Sequence, residues 1–232
     1  MANTIIPWDQ VPLGARNGYN AFLKWPEWAQ KLRQQAEAAG AWESGIESDK
    51  KGRGSAINCD LFGYDEFAGL IVVQVREAVF HPRRYTRVRK DYYLVGRNEN
   101  GSTFAHPVDS PARSKKALES PEKTVEWVLC QVWGCTPDAL PLIKRQGDVA
   151  LIPARLPAGS VETDNCVVLR NTHKITGKIM KSPDGGLYCE RATVVHKKRQ
   201  HATIRKTPKG AWYRIKQGVR ADVWGFTRPV GD

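Results

Sequence analysis

The chain has 232 residues, 41% apolar and 26% charged, which is the composition of a soluble protein with room for one large domain or two small ones. No apolar run approaches the roughly 20 residues of a membrane helix, the start Met1-Ala-Asn-Thr-Ile-Ile-Pro-Trp8 lacks the basic and apolar regions of a secretion signal, and five sparse Cys suit a reducing cytoplasm better than a disulfide framework. The formal net charge of +12 is concentrated at one end: residues 166–232 hold fifteen Lys and Arg against four Asp and Glu, while the preceding 165 residues hold twenty-one against twenty.

The first element in chain order is a helix over residues 26–39, with Pro26 suited to its first turn and Gly40 to its stop. Trp28, Leu32 and Ala36 fall on one face, and Trp25, Trp28 and Trp42 anchor the helix to the body. Residues 44–56, rich in Gly, Ser and charge, read as a loop. The acidic cluster Asp60, Asp65 and Glu66 beside Tyr64 likewise reads as a solvated loop feature. Strands follow over Leu70–Phe80, Tyr85–Val95 and Thr103–Val108, with a turn signal at Asn98–Gly101. Ser120-Pro-Glu122 opens a second helix through a cap, a first-turn proline and a first-turn acid. Val125, Val128, Leu129, Val132 and Trp133 form its apolar stripe, Cys130 belongs to the core, Gly134 ends the helix, and Pro137 starts a further short helix.

From Gln146 the texture changes to short β-segments: 147–153, Cys166–Arg170, Lys174–Met180, Leu187–Val195, Ala202–Arg205, Trp212–Lys216 and Val223–Thr227. Turn signals at Pro183–Gly186, Pro208–Gly210 and Gln217–Gly218 separate them. The expected class is therefore α+β. An N-terminal region (1–141) carries helices and a short antiparallel sheet, and a basic β-rich module (142–232) forms a small barrel or sandwich.

The stretches Arg145–Pro153, Leu156–Gly159, Asn171–Gly177 and His196–His201 together resemble an uncharacterised family of small bacterial and phage β-domains. Members open with Arg-Gln-Gly-Asp-Val, carry a His-containing turn near a Thr-Gly, and end with a His pair in a late strand. The resemblance covers about the last 90 residues. It implies a β-domain and no activity. The basic residues between His196 and His201, where relatives are acidic or neutral, imply a locally recruited polyanion site.

A charge surplus confined to one segment points to a polyanion partner, because charge serving solubility alone would be spread. Lys197, Lys198, Arg199, Arg205 and Lys206 are the residues expected to neutralise phosphates. Trp212 and Tyr213 are candidate base-stacking rings, against the alternative that they are core. Arg84, Arg87 and Arg89 form a second strip, readable as a phosphate track or as the polar face of an edge strand. His81 and His106, on neighbouring predicted strands, are candidates for acid–base cleavage of RNA, against the alternative that they are structural. His173, Cys189, His196 and His201 are candidates for a metal site. No phosphate loop, dinucleotide fingerprint, His-Glu-x2-His or Gly-x-Ser-x-Gly is present, so no cofactor is implied and enzymatic activity is not favoured. The expected function is nucleic-acid binding, RNA ahead of DNA, as a ribonucleoprotein or phage accessory component with a protein partner possible. The alternatives are a nuclease and an interaction module for an acidic protein.

Overall fold

A computed structural model describes residues 25–42, 45–48, 54–81, 84–98, 101–169, 171–198 and 202–218; for 45–48, 54–58, 77–81 and 84–88 it describes the backbone alone. The class is α+β, with two antiparallel sheets. The chain divides into two compact units, one taking in residues up to Arg97 and Thr103–Val128, the other the 98–102 turn and the residues from Leu129 onward.

The first unit is a meander of β1 (Gly45–Ser48), β2 (Gly54–Asp65), β3 (Leu70–His81), β4 (Arg84–Arg97) and β5 (Thr103–Val108), hydrogen-bonded in that order. Within the loop expected over 44–56, residues 45–48 and 54–56 belong to strands β1 and β2, and β2 carries Asp60 inside a strand. Helix α1 (Glu27–Ala38) buries Ala29, Leu32 and Ala36 in a cluster with Ile71, Val73, Val95 and Ala105. Trp42 is buried in the same cluster and Trp25 and Trp28 pack against it, as the sequence pattern anticipates. Gly40, at φ 83°, ends the helix as expected: its N–H and that of Ala41 return to the carbonyls of Glu37 and Ala36.

The opposite parity of this sheet is unusually polar for a buried face. Arg76 is fully buried and lies 2.5 Å from the Asp60 carboxylate, and the Gln74 amide donates to the Tyr92 hydroxyl at 2.5 Å. Helix α2 (Pro121–Trp133) starts with the anticipated cap, Lys123 N–H donating to the Ser120 hydroxyl at 3.2 Å. Its Thr124 lies where a side chain on Gly63 of β2 would be.

The second unit is a single seven-stranded sheet. Its strands are β6 (Lys144–Gln146), β7 (Val149–Pro153), β8 (Val161–Glu162), β9 (Cys166–Leu169), β10 (His173–Lys181), β11 (Leu187–His196) and β12 (Tyr213–Gln217). The order is β6-β7-β12-β11-β10, with β9 and β8 sharing the far side of β10. The path does not close among the described residues, so an open sheet stands where a small barrel was one expectation. One face carries the main core, including Val149, Leu151, Ile175, Ile179, Cys189, Val194 and Tyr213. On the other face Ala150 and Ile152 pack with Trp133. The segment expected as a strand over 202–205 makes a single bridge, Ile204 to Val194, and Val223–Thr227 lies outside the described residues. No helix among the described residues is long and apolar enough to cross a membrane.

Candidate nucleic-acid interface

The β10–β11 hairpin builds the candidate site. In β10, His173, Ile175 and Ile179 turn into the core, so pleating sends Lys174, Thr176 and Lys178 to the opposite face. β11 would lose this match without a bulge. Thr176 pairs with Thr193 but Lys178 pairs with Glu190, so β11 spends one extra residue across the same interval. Arg191, at φ 51°, and Ala192 together face Gly177. The extra residue reverses the parity of β11: Leu187 and Cys189 point inward before it, and Ala192, Val194 and His196 point inward after it. Thr193, Val195 and Lys197 are thereby sent outward.

The outer face that results is basic with apolar interruptions. Val168, Lys174 and Val195 form one cross-strand row on β9, β10 and β11; Cys166, Thr176 and Thr193 form the next. Val168 and Val195 are exposed despite being aliphatic. Ile204 pairs with Val194 and joins the core, which turns its neighbour Arg205 to the outer face. Lys174, Lys178, Lys197 and Arg205 are exposed there, and Lys198 and Lys206 are exposed beside them. Among the described residues none of these six forms an ion pair; Lys197 Nζ reaches only the Asn171 side-chain oxygen, at 3.5 Å. Glu190 shares this face and accepts the Gly210 N–H at 2.5 Å.

Trp212 and Tyr213, adjacent in sequence, are separated by the pleat. Trp212 precedes β12 on the outer face, half-buried, with Lys178 Nζ 5.9 Å from its ring centroid. Tyr213 is in the core, which corrects its assignment as a stacking ring. Arg214 and Lys216 share the outer parity, but the Arg214 guanidinium donates to the carbonyls of Trp133 (3.2 Å) and Gly134 (2.6 Å) at the end of α2, a stabilising use of a cation.

Behind the basic turn lies a buried polar network drawn from the very stretches that carry the family resemblance. His173 and His196 are register partners with ring centroids 4.7 Å apart. His173 Nδ1 faces Asp148 Oδ1 at 3.4 Å and the Thr172 hydroxyl at 3.0 Å. The Asp148 carboxylate also accepts from the Gln217 amide at 3.0 Å, and the Gln146 amide donates to the carbonyls of Val194 (3.3 Å) and Ala202 (2.5 Å). The Lys198 N–H donates to His196 Nδ1 at 3.3 Å, and the Lys197 N–H donates to the Thr172 carbonyl at 2.7 Å. The network therefore fixes the turn from which Lys197 and Lys198 project.

Of the metal candidates, the described geometry separates Cys189 from the two histidines, and His201 lies outside the described residues. Accepting the Lys198 N–H at Nδ1 assigns the neutral His196 proton to Nε2, which removes that nitrogen as a donor to a metal. Cys189 lies seven residues before His196 (189 to 196), roughly 20 Å along β11, and burial pushes its thiol up to about 12. No group of three His, Cys, Asp or Glu among the described residues is arranged to hold an ion. Arg199 and His201 lie outside the described residues.

The acid–base pair fails on register. His106 is opposite Leu94, which is opposite Val72, whereas His81 lies nine residues further along β3 (72 to 81). The two backbones are about 30 Å apart, and β4 runs between their strands. His106 is itself buried, and burial lowers its pKa from the ordinary 6.5. With the folded value below the unfolded one, the stability His106 permits is complete above pH 6.5 and is lost as pH falls through the folded value. Thermal scans should show that gap closing: wild type leads His106→Gln most at neutral pH and loses part of that lead on acidification.

In the first unit, Arg84 pairs with His81 and Arg87 with Val79 along the β3–β4 ladder, and their side chains lie outside the described residues. Arg89 is exposed but bridged to Asp91 at 3.0 Å, so its charge is already partnered. Sequence reasoning missed Lys174, Lys178, Val168 and Val195; the alternation in Lys174-Ile-Thr-Gly-Lys-Ile-Met180 is the signal that marks the first two. No known family model, curated protein or solved structure matches the chain.

Proposed function

We propose that the protein is a cytoplasmic nucleic-acid-binding protein whose second unit contacts the phosphate backbone through the outer face of β10 and β11. The observation that carries this reading is the gathering of Lys174, Lys178, Lys197 and Arg205 on one sheet face without ion-pair partners among the described residues. Cations already bridged to acids would gain little from a phosphate. Unpaired, exposed ones release counterions when they meet a polyanion. Lys198 and Lys206 widen the patch, and the buried histidine network keeps the Lys197–Lys198 turn in place.

Labelled RNA and DNA oligonucleotides, titrated across salt concentrations, provide the test. If the four cations each meet a phosphate, log K falls against log salt with a slope of about −3. Replacing Lys174, Lys178, Lys197 and Arg205 together by Glu should weaken binding at least ~100-fold and flatten the slope. Because all four side chains are exposed, the quadruple variant keeps its fold, checked by its urea midpoint. Absent or salt-independent binding of the wild type defeats the proposal. Capture of an acidic protein without nucleic-acid binding moves the assignment to the interaction-module alternative.

A further inference from the structure

We infer that the nucleic acid taken by this face is single-stranded, with one base stacked on Trp212; the inference rests on the phosphate-binding role proposed for the same face. Three observations separate a strand with accessible bases from a duplex. First, the indole of Trp212 is on the outer face and already holds a cation: Lys178 Nζ is 5.9 Å from the ring centroid. A ring that accepts an ammonium also accepts a base, and a base arriving there frees Lys178 for a phosphate. Second, Val168 and Val195 are exposed on both sides of Lys174 in a single cross-strand row. A duplex shows this face only phosphates and sugars, against which exposed valines gain little, whereas unpaired bases offer apolar faces.

Third, the charges are laid out unevenly. Glu190 lies between Lys178 on β10 and Trp212, because Lys178 pairs with Glu190 and the β11–β12 register carries Glu190 next to Trp212. Its carboxylate repels phosphate from the ring itself, so the backbone takes the Lys174, Lys197 and Arg205 side together with the Lys178 ammonium that the base displaces. Phosphates and base are thus assigned to different parts of one face, as a single strand requires.

The experiment compares a labelled single strand, as RNA and as DNA, with the duplex of the same sequence, using fluorescence anisotropy at two salt concentrations. Wild type should prefer the single strand about tenfold or more. Trp212→Leu, which keeps apolar bulk without an aromatic plane, should weaken single-strand binding about 5- to 150-fold. It should leave duplex binding and the salt slope unchanged. Trp212→Phe, which keeps a ring, should retain most of the affinity. Equal affinity for strand and duplex, or a Trp212→Leu loss shared by both, overturns the inference while the phosphate-binding role stands. Loss of salt-dependent binding in every arm removes that role as well.

Discussion

Replacing Arg76 by Met should destabilise the first unit by about 3–5 kcal/mol, lowering its urea midpoint by roughly 1–3 M. Arg76 is fully buried and Asp60, whose side chain is 12% exposed, lies 2.5 Å from it. The pair is diagonal across β2 and β3, since Arg76 registers with Asn58 and Asp60 with Gln74. Burial already pushes the Asp60 carboxyl up, and the Arg76 guanidinium opposes that push. Methionine fills similar volume but supplies no charge, so the variant leaves the half-buried carboxylate with Lys90, a lesser influence than Arg76, as its remaining cation. Its remedy is to take a proton. A folded-state pKa raised further above the unfolded value binds more protons in the folded state, so stability falls as pH rises. The deficit of Arg76→Met should therefore be greatest near neutral pH and should shrink toward about pH 5. A packing defect alone would not respond to pH in this way. Adding Asp60→Leu should recover much of the loss, because removing both charges leaves no buried carboxylate to accommodate. A single variant within about 1 kcal/mol of wild type would show that the Arg76–Asp60 pair does not hold β2 and β3 together.

Much of the chain's structure is written in local signals, and its exceptions have physical causes. Both helices carry their own stop and start chemistry: Gly40 ends α1 and Ser120 caps α2. β5 runs over Thr103–Val108, the span expected for it after the Asn98–Gly101 turn signal. β2 was invisible because Gly54–Asp65 has two glycines, two acids and one isoleucine, a poor strand by propensity. Tertiary partners rescue it: Arg76 meets Asp60, and Gly63 leaves the room that Thr124 fills. The His81–His106 pairing assumed that neighbouring predicted strands put their His-Pro dipeptides side by side. The long β3–β4 hairpin instead puts them at distant register positions.

The site was half legible. Charge counting finds the right segment, and pleating then decides which of its residues serve one surface. Lys174 and Lys178 follow from plain alternation in β10. Trp212 and Tyr213 cannot be told apart by composition; only the direction of the pleat sends one ring outward and the other into the core. Lys197 and Val195 depend on the bulge at Arg191, and no residue type announces a left-handed arginine. The convergence of Gln146, Asp148, His173 and His196 is a product of strand order that spacing along the chain does not reveal.

That bulge makes Gly177→Ala the most damaging single methyl group to add to the second unit, with an expected loss of about 2–5 kcal/mol. Gly177 has φ 152°, and a Cβ built on it would lie 2.8 Å from the Ala192 Cα and 2.9 Å from the carbonyl oxygens of Arg191 and Glu190. All three are backbone atoms, so no rotamer change relieves the contact. Ala192 is also held from its far side, its N–H donating to the Thr207 hydroxyl and its carbonyl accepting the Thr207 N–H, each at 2.9 Å. The strand cannot back away without breaking the Ile204 segment that presents Arg205. Gly210→Ala is the matching control: its φ is 81°, but nothing lies within 4 Å of the added carbon, so only conformational strain of about 1 kcal/mol applies. If the bulge sets the parity of β11, Gly177→Ala should also lose oligonucleotide binding, because His196 and Lys197 exchange faces when the extra residue is expelled. Chemical denaturation and anisotropy on the same samples read both effects. An alanine variant that keeps wild-type stability and affinity would mean that the register, and the basic face built on it, survives without the bulge.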